Sequence, residues 1–423
     1  MAESQNKRPD AAASDTDALA RVHPLGSLAF PEFRIVVLSF VAGFVGLQMR
    51  QVTNLWLVFD KTGDPLQLGL IGVFQFLPML IFVFIGGSLA DIVDRRLLLI
   101  LTQTGNLVIA GVLALLALTG NIEVWHIYVA TLVTAVVNTF EGPARMSMLP
   151  RLVPRTHLMN AITLNQTSRQ TGMLLGPALA GLMIGLVGPG ATYALVFVTM
   201  VPSVGALFLL SPMPPDPVAK KRGMSGGEML QGFKFVFSSN IIVSLMLLDV
   251  VAMLFTHHRV LVPVFAEVVL NVSEFKFGLL MASPAVGFFI GSSALLLFGN
   301  VKRKGMLVLV TYVFYLGAIT VFAMSRSYYL SIAAVVAIGG LDGVGAVMRT
   351  TILHLAVPDE IRGRATAVLQ LSNRGGPSLG QVWLGALAAS LSAPTALLIG
   401  AVVGALALVV VLIFARGVAT HES

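Results

Sequence analysis

Apolar runs of bilayer-crossing length recur along this chain with only short polar connections between them, and few folds accommodate that pattern. The runs fall at 34–58, 66–90, 97–119, 125–148, 158–187, 190–211, 240–269, 274–299, 305–324, 328–353, 365–391 and 394–415. A transmembrane helix needs roughly 20 such residues. Inside hydrocarbon, backbone N–H and C=O groups must pair within the protein, which a helix does segment by segment. Of the 423 residues only 11% are charged and 56% are hydrophobic, against roughly 25% charged in a soluble domain. That is too little charge to coat a water-facing surface, so lipid is the expected solvent. The reading is an all-α membrane protein with twelve transmembrane helices in two pseudo-symmetric six-helix bundles.

Basic residues set the orientation. One side of the alternating spans holds Arg95, Arg96, Arg151, Arg155, Lys220, Lys221, Arg222, Lys302, Arg303, Lys304, Arg362 and Arg364; the other holds only Lys61, Lys276 and Arg326. Lysine and arginine collect on the cytoplasmic side of membrane proteins, which places both termini and the long connection at 212–239 in the cytoplasm. The expected organisation is a disordered tail over 1–32, a first bundle over 33–211, a cytoplasmic linker over 212–239, a second bundle over 240–416 and a short tail over 417–423. No secretory signal is visible in the polar residues 1–32. The net charge of +7 is accounted for by these loops, so nucleic acid is not an expected partner.

Several chemistries are excluded. The chain has no cysteine, so neither a disulfide framework nor a thiolate metal site can form. No helical His-x-x-x-His spacing suggests a metal site, and no cofactor is expected. There is no Gly-rich Lys-Ser/Thr phosphate loop and no nucleophile elbow. An enzyme is not expected, nor is ATP-driven work by this chain alone.

The chain repeats itself. At an offset of 204 residues, Val153-Pro154 falls on Val357-Pro358, Arg145 on Arg349, Gly172 on Gly376, Gly176 on Gly380 and Gly181 on Gly385. Earlier in each half the offset is 209, putting Arg50 on Arg259, Gly69 on Gly278 and Asp91 on Asn300. Parallel repeats of this kind build a substrate site at their interface, near the middle of the membrane.

Between the second and third spans lies Gly87-Ser88-Leu89-Ala90-Asp91-Ile92-Val93-Asp94-Arg95-Arg96. This loop is similar to the signature of the major facilitator superfamily, with Asp94 where a glycine usually precedes the basic pair. With Pro358, Gly363 and Arg364 after the tenth span, it resembles the exporter branch containing enterobactin exporters and macrolide efflux proteins. A second stretch, Gly172, Gly176, Pro177 and Gly181 in the fifth span, resembles the antiporter signature of drug/proton exporters, with Ala180 in place of one glycine. It also fits ordinary small-residue packing. The resemblance implies an alternating-access exporter of a small organic molecule, working by proton antiport as a monomer in the bacterial inner membrane. An importer or facilitator on the same scaffold, or a non-transporting sensor, is the alternative.

Charges in spans are costly and so are functional candidates. Asp91, Arg95 and Arg96 read as a conformational latch between the halves, with Arg145 and Arg349 as its interior members; the arginines also fit plain topology control. Arg50 and Arg259 either face one cavity, where forked donors with Gln48 and Asn54 beside them would grip an anion, or snorkel to the interface. Glu141, Asp249 and Asp342 are the candidate proton carriers. Glu141 shares a helix face with Arg145, and Asp342 one with Arg349. Asp249 has no basic residue nearby in its own span, so it either titrates or pairs with another helix. An excess of interior arginine points to anionic cargo.

Overall fold

The computed structural model describes residues 23, 25–213, 240–298, 303–357 and 359–414; within these, the side chains of 83–92, 240–242, 359–374 and a few single positions are outside the description. The tails 1–22 and 417–423, the linker over 214–239 and the side chains of Gly87 and Asp91 therefore lie outside the described residues.

Every element described is helical. In chain order these are α1 (Pro31–Thr62), α2 (Pro65–Ile92), α3 (Arg95–Leu118) and α4 (Val124–Leu152). The helical stretch Leu158–Phe208 is divided at Gly188, whose φ of 82° and ψ of 171° are not helical, into α5 (158–187) and α6 (189–208). Then come α7 (Asn240–Phe255), α8 (Glu274–Phe298), α9 (Lys304–Met324), α10 (Tyr328–Ala356), α11 (Asp359–Ser390) and α12 (Ala393–Phe414). Nine helices among the described residues are long and apolar enough to cross a membrane, with Arg155–Phe208 counted as one. Of the remaining long helices, α4 carries Asn138, Glu141 and Arg145, and α11 carries Asp359, Glu360, Arg362, Arg364 and Arg374, so both are more polar along the chain.

Two local expectations change. Within the stretch expected to be a disordered tail, Gly26–Ala29 forms a 3-10 turn. Ser27 there is fully buried, and its N–H donates to Asn160 Oδ1 at 3.1 Å. The fifth and sixth spans part where expected, at Gly188, where a positive φ favours glycine. The run 240–269 is not continuous. After α7 it passes through a 3-10 turn His258–Leu261, a short helical piece Val262–Val264 and a π turn Phe265–Val269. The helix ends at Phe255, and Pro263 stands at the start of the short piece Val262–Val264, where its missing N–H costs nothing.

The internal repeat reappears as a repeat of contacts. A β-carbon on Gly172 would sit 2.6 Å from Phe44 Cβ of α1; one on Gly376 would sit 2.9 Å from Met253 Cβ of α7. Gly176 meets Gln48 and Val45; Gly380 meets His257 and Leu254. Each pair maps onto the other through the offsets of 204 and 209. The glycines at 181, 278, 69 and 385 pair across the halves. Gly181 on α5 abuts Gly278 on α8, and Gly69 on α2 abuts Gly385 on α11. Small residues let backbones approach closely in membranes, and here they let the two halves touch at two equivalent crossings.

Both crossings lie near the side that carries few basic residues, the far side. There a single apolar cluster draws from both halves, including Trp56, Phe59, Phe265, Phe277, Phe322 and Leu384, with Trp56 and Phe277 ring centres 4.8 Å apart. Toward the basic side the described core divides. One cluster, with Phe33, Phe40, Leu99 and Met148, belongs to the first half; another, with Leu248, Tyr312, Ile352 and Val411, belongs to the second. Among the described residues the halves are thus joined on the far side and packed separately on the basic side.

Candidate transport site

Arg145 on α4 and Arg349 on α10 occupy equivalent places and reach toward the first helix of their own half. The Arg145 guanidinium lies 3.9 Å from the ring centre of Phe40 and 4.2 Å from that of Phe44. It pairs with Glu141 one turn back, and Glu141 Oε1 also accepts from Gln103 Nε2 of α3 at 3.0 Å. The Arg349 Nη2 lies 2.8 Å from Asp249 Oδ1 of α7, an ion pair whose angle is not that of a hydrogen bond, and 3.4 Å from Asp342 Oδ1. Phe40 and Asp249 are equivalent at the offset of 209. The first half therefore presents an aromatic face to its arginine, a cation–π contact, where the second presents a carboxylate. Among the described residues Glu141 is the one acid at Arg145, with Arg169 near enough to act on the same guanidinium, whereas two acids share Arg349. Asp249 is 4% exposed, while the Asp342 side chain is 36% exposed. Asp249 thus pairs with an arginine of another helix. The bonds of Arg145 and Arg349 fall within their own halves, not across the boundary a latch would bridge.

Arg50 and Arg259 do not form the matched pair their repeat positions suggest. Arg50 is 2% exposed, and its guanidinium turns into the first half. Its Nη2 donates to Asn106 Oδ1 at 2.8 Å and its Nη1 to the Asn106 carbonyl at 3.2 Å. Asn106 Nδ2 in turn donates to Asn138 Oδ1 at 3.2 Å. Asn54 accepts from the Tyr193 hydroxyl at 2.7 Å, and Gln48 is buried against Gly176. This group ties α1, α3, α4 and α6 together, and a substrate grip by Arg50, Gln48 and Asn54 is not its present arrangement. Asn106 was the residue sequence reasoning missed. Its only signal is an amide in the middle of an apolar span, where an unpaired polar group is costly.

Arg259 stands in the 3-10 turn after α7. Its Nε and Nη2 atoms are buried without a hydrogen-bond partner among the described residues, as is Nε2 of His258. The turn packs against α2 of the first half and α11 of the second, so it lies at the seam between them. No group of three or more His, Cys, Asp or Glu side chains that could hold a metal ion occurs among the described residues.

Residues 22–423 match the sequence pattern of the transmembrane secretion effector family, a family of major facilitator type. The chain belongs to that family. The enterobactin exporter EntS of Citrobacter koseri (strain ATCC BAA-895 / CDC 4225-83 / SGSC4696) is 26% identical over 367 residues, covering 86% of each chain. EntS of Escherichia coli O1:K1 / APEC matches to the same extent. Among solved structures, a bacterial homologue of the human lysosomal transporter Spinster, inward-facing and occupied, superposes with a TM-score of 0.70 at 15% identity; the match covers 91% of this chain and 96% of that one. The protein is a multi-pass membrane transporter of the major facilitator type and not an enzyme.

In this transporter the loop before α3 fastens the exit of the first half. Asp94 Oδ1 accepts from the N–H groups of Arg96 at 2.8 Å and Leu97 at 3.1 Å, capping α3. Its Oδ2 accepts from Met213 N at 3.0 Å, and Arg95 N donates to the Met213 carbonyl at 3.3 Å. Arg96 donates to the carbonyls of Leu207 at 3.1 Å and Phe208 at 2.8 Å, meeting the unsatisfied end of α6. Glu32 accepts from the Ser211 hydroxyl at 2.6 Å. The residue that replaces the usual glycine thus joins a helix cap to the start of the linker. Asp94→Ala is expected to lower unfolding stability by about 1 kcal/mol, as for loss of an N-cap, read as a drop in thermal midpoint of the detergent-purified protein. Asp94→Asn should retain most of it; equal losses in the two variants would contradict the capping role.

Proposed function

We propose that this chain is a secondary active transporter that exports a small siderophore- or drug-like molecule across the bacterial inner membrane in exchange for protons. In this reading twelve spans form two six-helix bundles, 33–211 and 240–416, with the 212–239 linker and both termini cytoplasmic, and the protein works as a monomer. The named relatives support export and make enterobactin the first solute to assay. The division of the core on the basic side supports a state open to the cytoplasm, with the far side closed by the glycine crossings. Gly87, Asp91, Arg95 and Arg96 border the cytoplasmic rim, where the halves must part and rejoin during alternating access.

The observation that carries proton coupling is the unequal charge count at Arg349. Among the described residues two carboxylates, Asp249 and Asp342, share one guanidinium, whereas Glu141 is the one acid at Arg145. A carboxyl that is neutral when open to one side and charged when open to the other carries one proton per cycle. The second acid at Arg349 provides that spare carboxyl, and Asp249 and Asp342 are assigned the role together.

The test is transport in proteoliposomes. An imposed proton gradient is expected to drive enterobactin uphill, with collapse of the flux on adding a protonophore. Asp249→Asn and Asp342→Asn should each remove the response to the gradient, while solute–solute exchange persists. Flux indifferent to pH in the wild type would overturn antiport.

A further inference from the structure

Arg259 differs from Arg50, Arg145 and Arg349. Arg50 is bonded to Asn106, Arg145 to Glu141, and Arg349 pairs with Asp249 and Asp342. Arg259 forms no ion pair among the described residues, and its buried Nε and Nη2 atoms have no hydrogen-bond partner there. Those two N–H groups point from the same edge of the guanidinium. It is the edge that receives both oxygens of a carboxylate in parallel. The neighbouring His258 is 8% exposed, and its Nε2 is likewise buried without a partner.

The backbone explains why these groups are available. α7 ends at Phe255, and residues 256–257 leave the helical path before the 3-10 turn that carries Arg259. The 3-10 turn His258–Leu261 then packs on α2 and α11, the two helices that cross at Gly69 and Gly385. A cation is thus held at the seam of the halves, next to their far-side closure, with no ion-pair partner among the described residues. Such a charge is costly inside a membrane protein, and an arginine fork is suited to planar oxyanions.

We propose that the Nε–Nη2 edge of Arg259, with His258 beside it, is a subsite for one planar two-oxygen anion of the cargo, a carboxylate or a group of the same shape. Arg50 is not part of this subsite, because its fork is already used on Asn106. The assignment rests on the reading of the chain as a transporter whose cargo lies at the seam.

The experiment uses the full chain in phosphatidylcholine nanodiscs, with benzoate as probe and benzamide and benzylamine as its neutral and cationic counterparts. Benzoate is expected to bind the wild type without competition from either counterpart. Arg259→Gln should weaken benzoate by about 10- to 100-fold, the range for lost charge-assisted hydrogen bonds. Arg259→Lys should recover little, since a point charge cannot replace the fork. The thermal midpoint of Arg259→Gln should hold or rise, because no internal bond is broken, whereas that of Arg50→Gln should fall.

Benzoate that fails to bind the wild type, or that binds Arg259→Gln equally well, overturns the subsite. So does a large drop in the thermal midpoint of Arg259→Gln, which would make Arg259 a structural residue. Loss of benzoate binding when phosphatidylglycerol is added to the nanodiscs would assign the fork to a lipid headgroup and overturn the cargo reading. The assay needs no proton gradient. The subsite can therefore fail with antiport intact, and antiport can fail with benzoate still held at Arg259.

Discussion

Replacing Arg349 with glutamine is expected to lower unfolding stability by about 3 kcal/mol and to stop gradient-driven transport. The figure is the low end of the range for removing one partner of a buried ion pair. The low end applies because the Arg349 side chain is 19% exposed, while that of Asp249 is 5% exposed. The loss arises mainly from Asp249, left inside the second half without its counter-charge. A double variant, Asp249→Asn with Arg349→Gln, removes both partners. It should recover a large part of the stability lost in the single variant, since neighbouring groups that act together give non-additive changes. Transport should not recover, because the carboxyl is gone. Thermal unfolding of the purified protein reads the first quantity and proton-driven flux the second. Additive losses in the double variant would show that Asp249 and Arg349 do not act as a pair.

Gly278→Val and Gly385→Val are expected to hold the far side open and stop the cycle. A β-carbon on Gly278 would lie 2.5 Å from the Gly181 Cα, and one on Gly385 would lie 2.6 Å from the Gly69 Cα. Both neighbours are backbone atoms, so neither can rotate away. Overpacking of this kind costs about 1–3 kcal/mol. It falls on the far-side-closed state alone, and so shifts the balance between states by about 5- to 150-fold. Because the chain has no cysteine, one placed at Trp56 reports closure without background. Trp56 is 8% exposed and packed on Phe277. Labelling of Trp56→Cys by an impermeant maleimide should speed up in both glycine variants. Gly205→Val is the control, since a β-carbon there meets nothing within 4 Å. Faster labelling in only one of the two crossing variants would contradict their equivalence.

The glycine contacts show how far the sequence reached. The offsets 204 and 209 came from residue identities alone, yet they map the contact of Gly172 with Phe44 onto that of Gly376 with Met253. They likewise map the crossing of Gly69 and Gly385 onto that of Gly278 and Gly181. Periodic signals of this kind are local and repeated, so a single chain displays them. The pairing of Glu141 with Arg145 was legible for the same reason, being one helical turn in length. The loop at Asp94 was legible as a motif, but its bonds to Met213, Leu207 and Phe208 join positions more than a hundred residues apart. Nothing in the local pattern announces them.

The sequence by itself determined the solvent and the internal symmetry, because burying about 20 apolar residues at a time and repeating small residues at a fixed offset are properties written along one strand of chain. Only the tertiary structure decided how the interior charges are used. Arg50 and Arg259 are equivalent in the repeat, but Arg50 meets Asn106 from another helix while the buried Nε–Nη2 edge of Arg259 meets no hydrogen-bond partner among the described residues. Arg145 and Arg349 are equivalent too, but one faces Phe40 and the other Asp249. A guanidinium can reach several neighbours from a fixed backbone position, and which neighbour it finds depends on helices brought together only by packing.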